Sequence, residues 1–217
     1  MKMIKKFLTL VFDLLAPLRT NFAIVQKLDE EALNSLPKAP LVENADWIHP
    51  LFHYKDRQVK AIVWELKYRE NTLPLLHIGR LLYEEIIVIL SDITLFDNDA
   101  QFILIPIPIS PDRRRERRYN QSEYIAKAIL ENDLARTLTY APQWFQKIKE
   151  TEHQSHSQSR QERIKNLVGC FSADQRVSGK YIILVDDVVT TGSTLSEART
   201  SLLSANARDV FAFTIAH

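Results

Sequence analysis

Cysteine is almost absent from this sequence, since Cys170 is the single one in 217 residues. One thiol cannot build a disulfide framework, and it cannot supply the several thiolates of a cysteine-based zinc site within one chain. A chain with so little cysteine fits the reducing cytoplasm, which is the location we expect. We expect the side chain of Cys170 to be a small, buried apolar group.

An excess of one charge and long apolar runs are lacking as well. The net charge is +1, so no overall field favours nucleic acid or an acidic partner. No apolar stretch approaches the ~20 residues that a transmembrane helix needs. Neither Gly-x-x-x-x-Gly-Lys-[Ser/Thr] nor Gly-x-Gly-x-x-Gly occurs, which disfavours the common nucleoside triphosphate and dinucleotide loops.

The first 45 residues predict a small helical extension followed by a linker. Six apolar residues recur there at helical spacing, which favours an amphipathic docking helix: Ile4, Phe7, Leu8, Val11, Leu14 and Leu15. The preceding lysines superficially resemble the start of a signal peptide, but Asp13 interrupts the apolar run and residues 16–18 make a poor cleavage site. Pro37 and Pro40 mark a connector, so we place the main domain at residues 46–217.

The main domain alternates between short apolar runs and segments of helical period. Strands are predicted at 101–105, 181–185 and 210–215, and helices at 59–66, 75–90, 193–205 and after the N-cap residue Asn120. An extended segment at 47–54 contains Pro50, which restricts it to a sheet edge. Residues 146–166 are polar and predict a long mobile loop. This order predicts an α/β fold with a mostly parallel sheet flanked by helices.

Residues 185–194, Val-Asp-Asp-Val-Val-Thr-Thr-Gly-Ser-Thr, are the most informative stretch. They follow an apolar strand and open a helix. Carboxylates can accept hydrogen bonds from vicinal ribose hydroxyls, while backbone N–H groups and hydroxyls bind phosphate at a helix N-terminus. Acids and small polar residues also cap helices, but a cap needs only one such residue. Here seven residues fit the ribose-phosphate pattern: Asp186, Asp187, Thr190, Thr191, Gly192, Ser193 and Thr194. The stretch therefore predicts a ribose-phosphate site.

A second cluster of polar residues follows the strand at 101–105. Pro106 and Pro108 precede residues 113–118, in which five of six residues are arginine. A solvated basic turn or a nucleic-acid patch would show the same composition. However, ligands of an open parallel sheet bind beyond the carboxyl ends of its strands, where this loop begins. Arginine side chains there are suited to the oxygens of a diphosphate.

Together these motifs resemble type I phosphoribosyltransferases, and more closely the ComF (GntX-type) branch of that family. Residues 185–194 are similar to the family's motif for 5-phosphoribosyl 1-diphosphate (PRPP). Similar to the ComF branch are Pro106-x-Pro108 with its arginines, Tyr119-Asn120-Gln121, Thr151-x-x-Gln154, Arg163-x-x-Asn166-x-x-Gly169-Cys170-Phe171, Phe52-x-Tyr54 and Leu66-Lys67-Tyr68. The resemblance covers residues 47–217 and implies a type I phosphoribosyltransferase-like fold.

The resemblance also implies roles for individual residues. Asp186 and Asp187 would hold the ribose hydroxyls, and Lys67 and Arg114 would face the diphosphate. Lys67 equally fits a snorkelling surface lysine. The 5′-phosphate would be bound by Thr190, Thr191, Gly192, Ser193 and Thr194, and further contacts to PRPP would come from Asn120, Gln121, Thr151, Gln154 and Arg163. The last three lie in the polar loop, which would close over the site.

By the same resemblance, Mg²⁺ would arrive with PRPP near Asp186 and Asp187 without direct protein ligands. The phosphoribosyl group would pass to a nitrogen acceptor with release of diphosphate. The alternative is a non-catalytic PRPP- or nucleotide-binding accessory protein in DNA uptake or regulation. A nucleic-acid or uptake-machinery partner and a homodimer are further expectations that the sequence leaves open.

The chain departs from the ComF pattern in three places. The branch commonly begins with a four-cysteine zinc-ribbon module, but residues 18–46 contain no cysteine. We therefore expect no zinc, and residues 1–45 would be a degenerate counterpart of that module. Glu70 stands where glycine is frequent, and Cys170 stands where alanine is usual.

Overall fold

The computed structural model describes residues 20–69, 74–110, 114–115, 119–149 and 169–217. Residues 20–25 are helical. The helices that follow are α1 (Glu30–Asn34), α2 (Arg57–Arg69), α3 (Leu75–Thr94), α4 (Gln121–Leu130) and α5 (Ser193–Ser204). The strands are β1 (Ile48–Phe52), β2 (Phe102–Pro106), β3 (Leu138–Tyr140), β4 (Phe145–Lys147), β5 (Phe171–Ala173), β6 (Tyr181–Val188) and β7 (Asp209–Ala216).

Five strands form one sheet in the order β1-β7-β6-β2-β3, and every neighbouring pair in it is parallel. Strands β4 and β5 form a separate antiparallel pair. The predicted α/β fold with a mostly parallel sheet is confirmed. Strand β1 lies at the edge of the sheet, which is the position that Pro50 requires.

Both faces of the sheet are covered. Ile183 and Val185 of β6 belong to an apolar cluster with residues of α2, α3 and α4. Ile182 and Leu184 point to the other face and join residues of α5, β4 and β5. Burial on both faces explains why the central strands are continuous apolar runs instead of alternating ones.

The described part of the N-terminal extension shares the larger of these clusters. Val25, Leu33 and Leu36 are buried in it, and the Ala39 N–H donates to the Leu51 carbonyl at 3.0 Å. The predicted amphipathic helix at residues 4–15 lies outside the described residues. Among the described helices, none is long and apolar enough to cross a membrane.

Several predicted boundaries differ from the structure by a few residues; β6, for example, continues past residue 185 to Val188. The polar stretch predicted as a loop from residue 146 begins inside β4, where Gln146 pairs with Ser172 of β5. A strand of three residues is too short to show the alternation that identifies a strand. Residues 150–168 of that stretch lie outside the described residues. Helix α3 continues past residue 90 to Thr94.

The contact between α3 and α4 depends on a glycine. A Cβ atom at Gly79 would lie 2.5 Å from both the carbonyl carbon and the carbonyl oxygen of Ala128. Only a residue without a side chain lets the two helix backbones approach this closely. The contact fixes the position of α4, whose N-terminus lies at the candidate site described next.

Candidate functional site

The predicted site residues gather where the parallel strands end. Asp186 and Asp187 lie near the end of β6, and β2 ends beside them because Pro106 pairs with Val185. The N-termini of α4 and α5 follow β2 and β6, so their free N–H groups lie at the same edge. The fold therefore brings together two carboxylates, two helix N-termini and the carboxyl end of α2.

Asp186 is held by α4 as well as by its own strand. Its carboxylate accepts hydrogen bonds from the Ser122 hydroxyl at 3.0 Å and from the Asp187 N–H at 2.9 Å. Desolvation, followed by the nearby Asp187 carboxylate, raises the pKa of Asp186 to about 7, against the hydrogen bonds and the Lys67 ammonium, which lower it. Asp186 therefore changes charge near neutral pH.

This raised pKa predicts a stability cost that grows with pH. The unfolded carboxyl ionises near pH ~3.9, so between pH ~4 and ~7 the folded state retains a proton that the unfolded state has lost. Stability is therefore lost as the pH rises across this window. Asp186→Asn should melt a few degrees above the wild type at pH 8, and the difference should shrink toward pH 5, measured by calorimetry.

Asp174→Asn is the matched control for this experiment. Hydrogen bonds from Arg176 lower the pKa of Asp174 to about 2, so the difference in melting temperature between Asp174→Asn and the wild type should stay constant between pH 5 and 8. A difference in melting temperature between Asp186→Asn and the wild type that stays constant over this range would contradict the assignment.

Asp187 forms an ion pair with Lys67. The Lys67 Nζ atom lies 3.1 Å from Asp187 Oδ2, and the two side chains are 27% and 12% exposed. Lys67 is thus directed into the site. The alternative of a snorkelling lysine had instead predicted that its ammonium lies in solvent. That Lys67 contacts a diphosphate stays a prediction.

The loop after β6 is built around a left-handed glycine. Gly192 has φ +72° and is the N-cap residue of α5, so the cap has no side chain to accept the first N–H groups of the helix. The Thr191 and Ser193 hydroxyl oxygens lie 2.8 Å apart. Asp186 and residues 188–195 line a cavity of about 50 Å³. This loop offers N–H and hydroxyl donors beside the acid pair, as an anion site requires.

Four consecutive residues connect the elements around the site: Tyr119, Asn120, Gln121 and Ser122. The Asn120 amide donates to the Ile107 carbonyl at 3.0 Å and its oxygen accepts from the Ser122 N–H at 3.1 Å. The Gln121 amide donates to the Lys67 carbonyl at 3.4 Å. Asn120 and Gln121 are 2% and 3% exposed. These contacts give both residues a positioning role, and direct contact with PRPP stays a prediction.

Sequence reasoning missed Tyr119 and Ser122 as site residues. The Tyr119 hydroxyl donates to the Lys67 carbonyl at 2.8 Å and lies 3.2 Å from the Leu66 carbonyl. Tyr119 belongs to the stretch between the arginines and α4 that carries part of the ComF resemblance, and Ser122 lies in the first turn of α4. Their partners are 52 and 64 residues away in the chain, so spacing alone could not have identified the contacts.

Arg114 lines a larger cleft beyond the end of β2. Its guanidinium forms an ion pair with Glu123 of α4. The cleft measures about 430 Å³ and is lined by Pro106, Pro108, Ile109, Arg114, Asn120, Glu123, Pro142, Gln143, Phe145, Gln146 and Lys147. It lies beyond the end of β2, where the sequence placed an anion-binding loop. A contact of Arg114 with a diphosphate stays a prediction.

The remaining predicted residues, Thr151, Gln154 and Arg163, lie outside the described residues, as do Arg113, Arg117 and Arg118. Within the described part of the chain, no group of three or more histidine, cysteine, aspartate or glutamate side chains could hold a metal ion.

Comparisons with known proteins identify a domain and several relatives. Residues 128–216 match the family model of the phosphoribosyl transferase domain. The chain is 29% identical over 176 residues to the DNA utilization protein YhgH of Salmonella typhimurium. The matched region covers 80% of this chain and 70% of that protein. It is 30% identical over 118 residues to the competence protein ComFC of Bacillus subtilis, spanning 54% of this chain and 45% of that protein. With ComFC of Streptococcus pneumoniae the identity is 31% over 124 residues, spanning 54% of this chain and 48% of that protein.

Proposed function

Because this chain belongs to the ComF family and carries a phosphoribosyltransferase domain, we propose that it binds PRPP with Mg²⁺. We further propose that it transfers the phosphoribosyl group to a nitrogen acceptor with release of diphosphate. Its single cysteine supports a cytoplasmic location for this reaction.

One observation carries the proposal: the acid pair of β6 leads directly into the uncapped N-terminus of α5. Asp186 and residues 188–195 line one cavity. A ribose 5-phosphate needs acceptors for its two hydroxyls and donors for its phosphate. The carboxylates supply the acceptors, while the N–H groups of α5 and the hydroxyls of Thr191 and Ser193 supply the donors.

The donor set is compatible with Mg²⁺ that arrives bound to PRPP. Magnesium in phosphate-transfer sites usually keeps several waters and is bound largely through substrate phosphates. Asp186 and Asp187 would lie near the ion without binding it directly, since both carboxylates are assigned to the ribose hydroxyls. When bound, the ion would neutralise charge that develops on the leaving diphosphate.

The chain's own residues would hold and polarise the substrate. Asp186 and Asp187 would orient the ribose, and the loop around Gly192 would fix the 5′-phosphate. The bond between C1 and the diphosphate oxygen breaks, with the electron pair leaving on diphosphate. A bond from C1 to the acceptor nitrogen forms, and that nitrogen loses a proton. The cations of Lys67 and Arg114 would stabilise the leaving group.

A second candidate function is PRPP or nucleotide binding without turnover. It is favoured by the relatives, which are named as competence and DNA utilization proteins. The same fold can serve catalysis and binding, and the fold alone does not choose between them. In this case the protein would act as an accessory protein in DNA uptake or regulation, with the uptake machinery or nucleic acid as its partner.

Diphosphate release distinguishes the two functions. Wild type and Asp187→Asn are incubated with PRPP, Mg²⁺ and a panel of nucleobases, and diphosphate is measured. Release by the wild type alone supports the transferase. PRPP binding without release for any acceptor supports the binding protein. If PRPP does not bind at all, the transferase is wrong, and so is the binding protein as a PRPP-binding protein.

Gly192→Ala should weaken PRPP binding by roughly 5- to 30-fold. An alanine in the left-handed region costs about 1–2 kcal/mol, and relaxing that strain would move the donors of the phosphate loop. The new Cβ would lie 3.6 Å from Ile48 Cδ1, an ordinary contact, so the effect is one of backbone strain. Isothermal titration calorimetry with PRPP and Mg²⁺ measures it.

Gly179→Ala is the matched control for Gly192→Ala. Gly179 has φ +71°, and a methyl group added there would have no atom within 4 Å. This glycine precedes β6 and lies near the amino-terminal ends of the parallel strands, whereas the site lies at their carboxyl ends. Its replacement should lower stability by a similar amount and leave the affinity for PRPP unchanged. Equal losses of affinity in the two variants would show that the Gly192 effect is not local.

A further inference from the structure

The carboxyl end of α2 is capped by residues from a different part of the chain. The last carbonyl groups of a helix have no intrahelical donors. Here the Tyr119 hydroxyl donates to the Lys67 carbonyl at 2.8 Å, with the Leu66 carbonyl at 3.2 Å, and the Gln121 amide donates to the Lys67 carbonyl at 3.4 Å. The segment that leads into α4 therefore fixes the backbone of Lys67.

A fixed backbone at Lys67 favours the ion pair that its side chain forms with Asp187. A lysine has a long flexible stem, and a partly exposed ion pair gains little when the whole stem must be ordered. Its Nζ atom nevertheless lies 3.1 Å from Asp187. Anchoring the main chain of Lys67 lowers the entropy that this pairing costs.

The same segment also fixes the neighbouring carboxylate. Ser122 donates its hydroxyl hydrogen to Asp186 at 3.0 Å. Residues 119–122 thus fix the backbone of Lys67, whose ammonium faces Asp187, and they also fix the position of Asp186. A change at Tyr119 should therefore be felt at the acid pair, although the Tyr119 hydroxyl itself bonds the backbone of α2.

We propose that Tyr119 is a positioning residue whose hydroxyl, bound to the carbonyl of Lys67, keeps the Lys67 ammonium on Asp187 and thereby prepares the acid pair for PRPP. The statement about PRPP rests on the proposed function. The statement about Lys67 and the acid pair is independent of any ligand.

Tyr119→Phe isolates the hydroxyl. The ring of Tyr119 packs on the ring of Tyr124 with 5.7 Å between centroids, and phenylalanine preserves this contact. Tyr124→Phe is the matched control, because it removes a hydroxyl from the other ring of the same pair. The variants Lys67→Met and Tyr119→Phe with Lys67→Met complete a double-mutant cycle.

The first measurement uses the ligand-free protein. The ionisation of Asp186 is followed by the carbon NMR signal of its carboxyl group from pH 5 to 9. Asp187 from its own strand and Lys67 from α2 act on its charge, and Ser122 from α4 bonds it. Since the ammonium lowers the pKa of Asp186, its displacement in Tyr119→Phe should raise that pKa by roughly half a unit.

Coupling between the two residues is the decisive part of this measurement. In the Lys67→Met background, Tyr119→Phe should add no further shift, and Tyr124→Phe should leave the pKa unchanged in the wild type. A general loss of packing would lower the melting temperature without this pattern. An unchanged pKa in Tyr119→Phe, or equal shifts with and without Lys67, overturns the proposal.

The second measurement is calorimetric titration with PRPP and Mg²⁺. Tyr119→Phe should bind roughly 5- to 10-fold more weakly than the wild type, and the double variant should bind like Lys67→Met. Wild-type affinity in Tyr119→Phe overturns the statement about PRPP. If the wild type itself does not bind PRPP, the proposed function is wrong, and the NMR titration still decides the role of Tyr119.

Discussion

Replacing Asp187 by asparagine is expected to weaken PRPP binding by roughly 10- to 100-fold. Asp187 is 8% exposed and lies 3.1 Å from the Lys67 ammonium. The neutral amide would lose a charge-assisted hydrogen bond from a ribose hydroxyl. Such a bond contributes about 1.5–3 kcal/mol, which corresponds to roughly one to two orders of magnitude in affinity.

Calorimetric titration with PRPP and Mg²⁺ measures this effect, and ribose 5-phosphate serves as a second ligand without the diphosphate. The affinity for both should fall, because the proposed contact is to the ribose. Asp209→Asn is the control. Asp209 is the first residue of β7, at the amino-terminal ends of the parallel strands, and it accepts a hydrogen bond from Arg199. Wild-type affinity in Asp187→Asn would show that the acid pair does not hold the ribose.

Replacing Gly79 by alanine is expected to lower the free energy of unfolding by about 3 kcal/mol. The added Cβ would lie 2.5 Å from the carbonyl carbon and oxygen of Ala128, and these backbone atoms cannot rotate away as a side chain can. The helices must separate, which opens the packing between α3 and α4. For a chain of this size the melting temperature should fall by roughly 6–12 °C.

The sign of this change is itself diagnostic. In a helix interior that had room for a methyl group, glycine to alanine would raise stability by about 1 kcal/mol. Val88→Ala on the same helix is the control, because Val88 is exposed and its replacement should change stability by no more than ~0.5 kcal/mol. A rise in melting temperature for Gly79→Ala, measured by calorimetry, would contradict the close approach of the helices.

Local features of the sequence were sufficient to predict the sheet and the glycine turn that leads into α5. The strand at 181–185 is a continuous apolar run, and a strand buried on both faces requires this pattern. Gly192 and its hydroxyl-bearing neighbours predict a tight turn into a helix, because the required backbone conformation depends on the residue itself. Asn120 was identified as an N-cap, and its side chain accepts from the Ser122 N–H at 3.1 Å.

The connections among the site residues could not be predicted in this way. Lys67 suited either a solvent-exposed lysine or a diphosphate ligand, and its ion pair with Asp187 depends on where α2 ends relative to β6. The positioning contacts of Asn120 and Gln121 could not be predicted for the same reason, since their amides bond backbone carbonyls of other segments. Side-chain periodicity reports which face of an element is buried, and it does not report which element lies against that face.

The sequence by itself determined that two carboxylates leave a buried strand just before a glycine turn and a helix, because each of these features depends on neighbouring residues. Only the tertiary structure decided that Lys67 faces Asp187, that Ser122 holds Asp186, and that Tyr119 caps α2. These contacts join residues far apart in the chain, and they exist because α2, α3 and α4 pack on one face of the sheet. The close approach at Gly79 helps to set that packing.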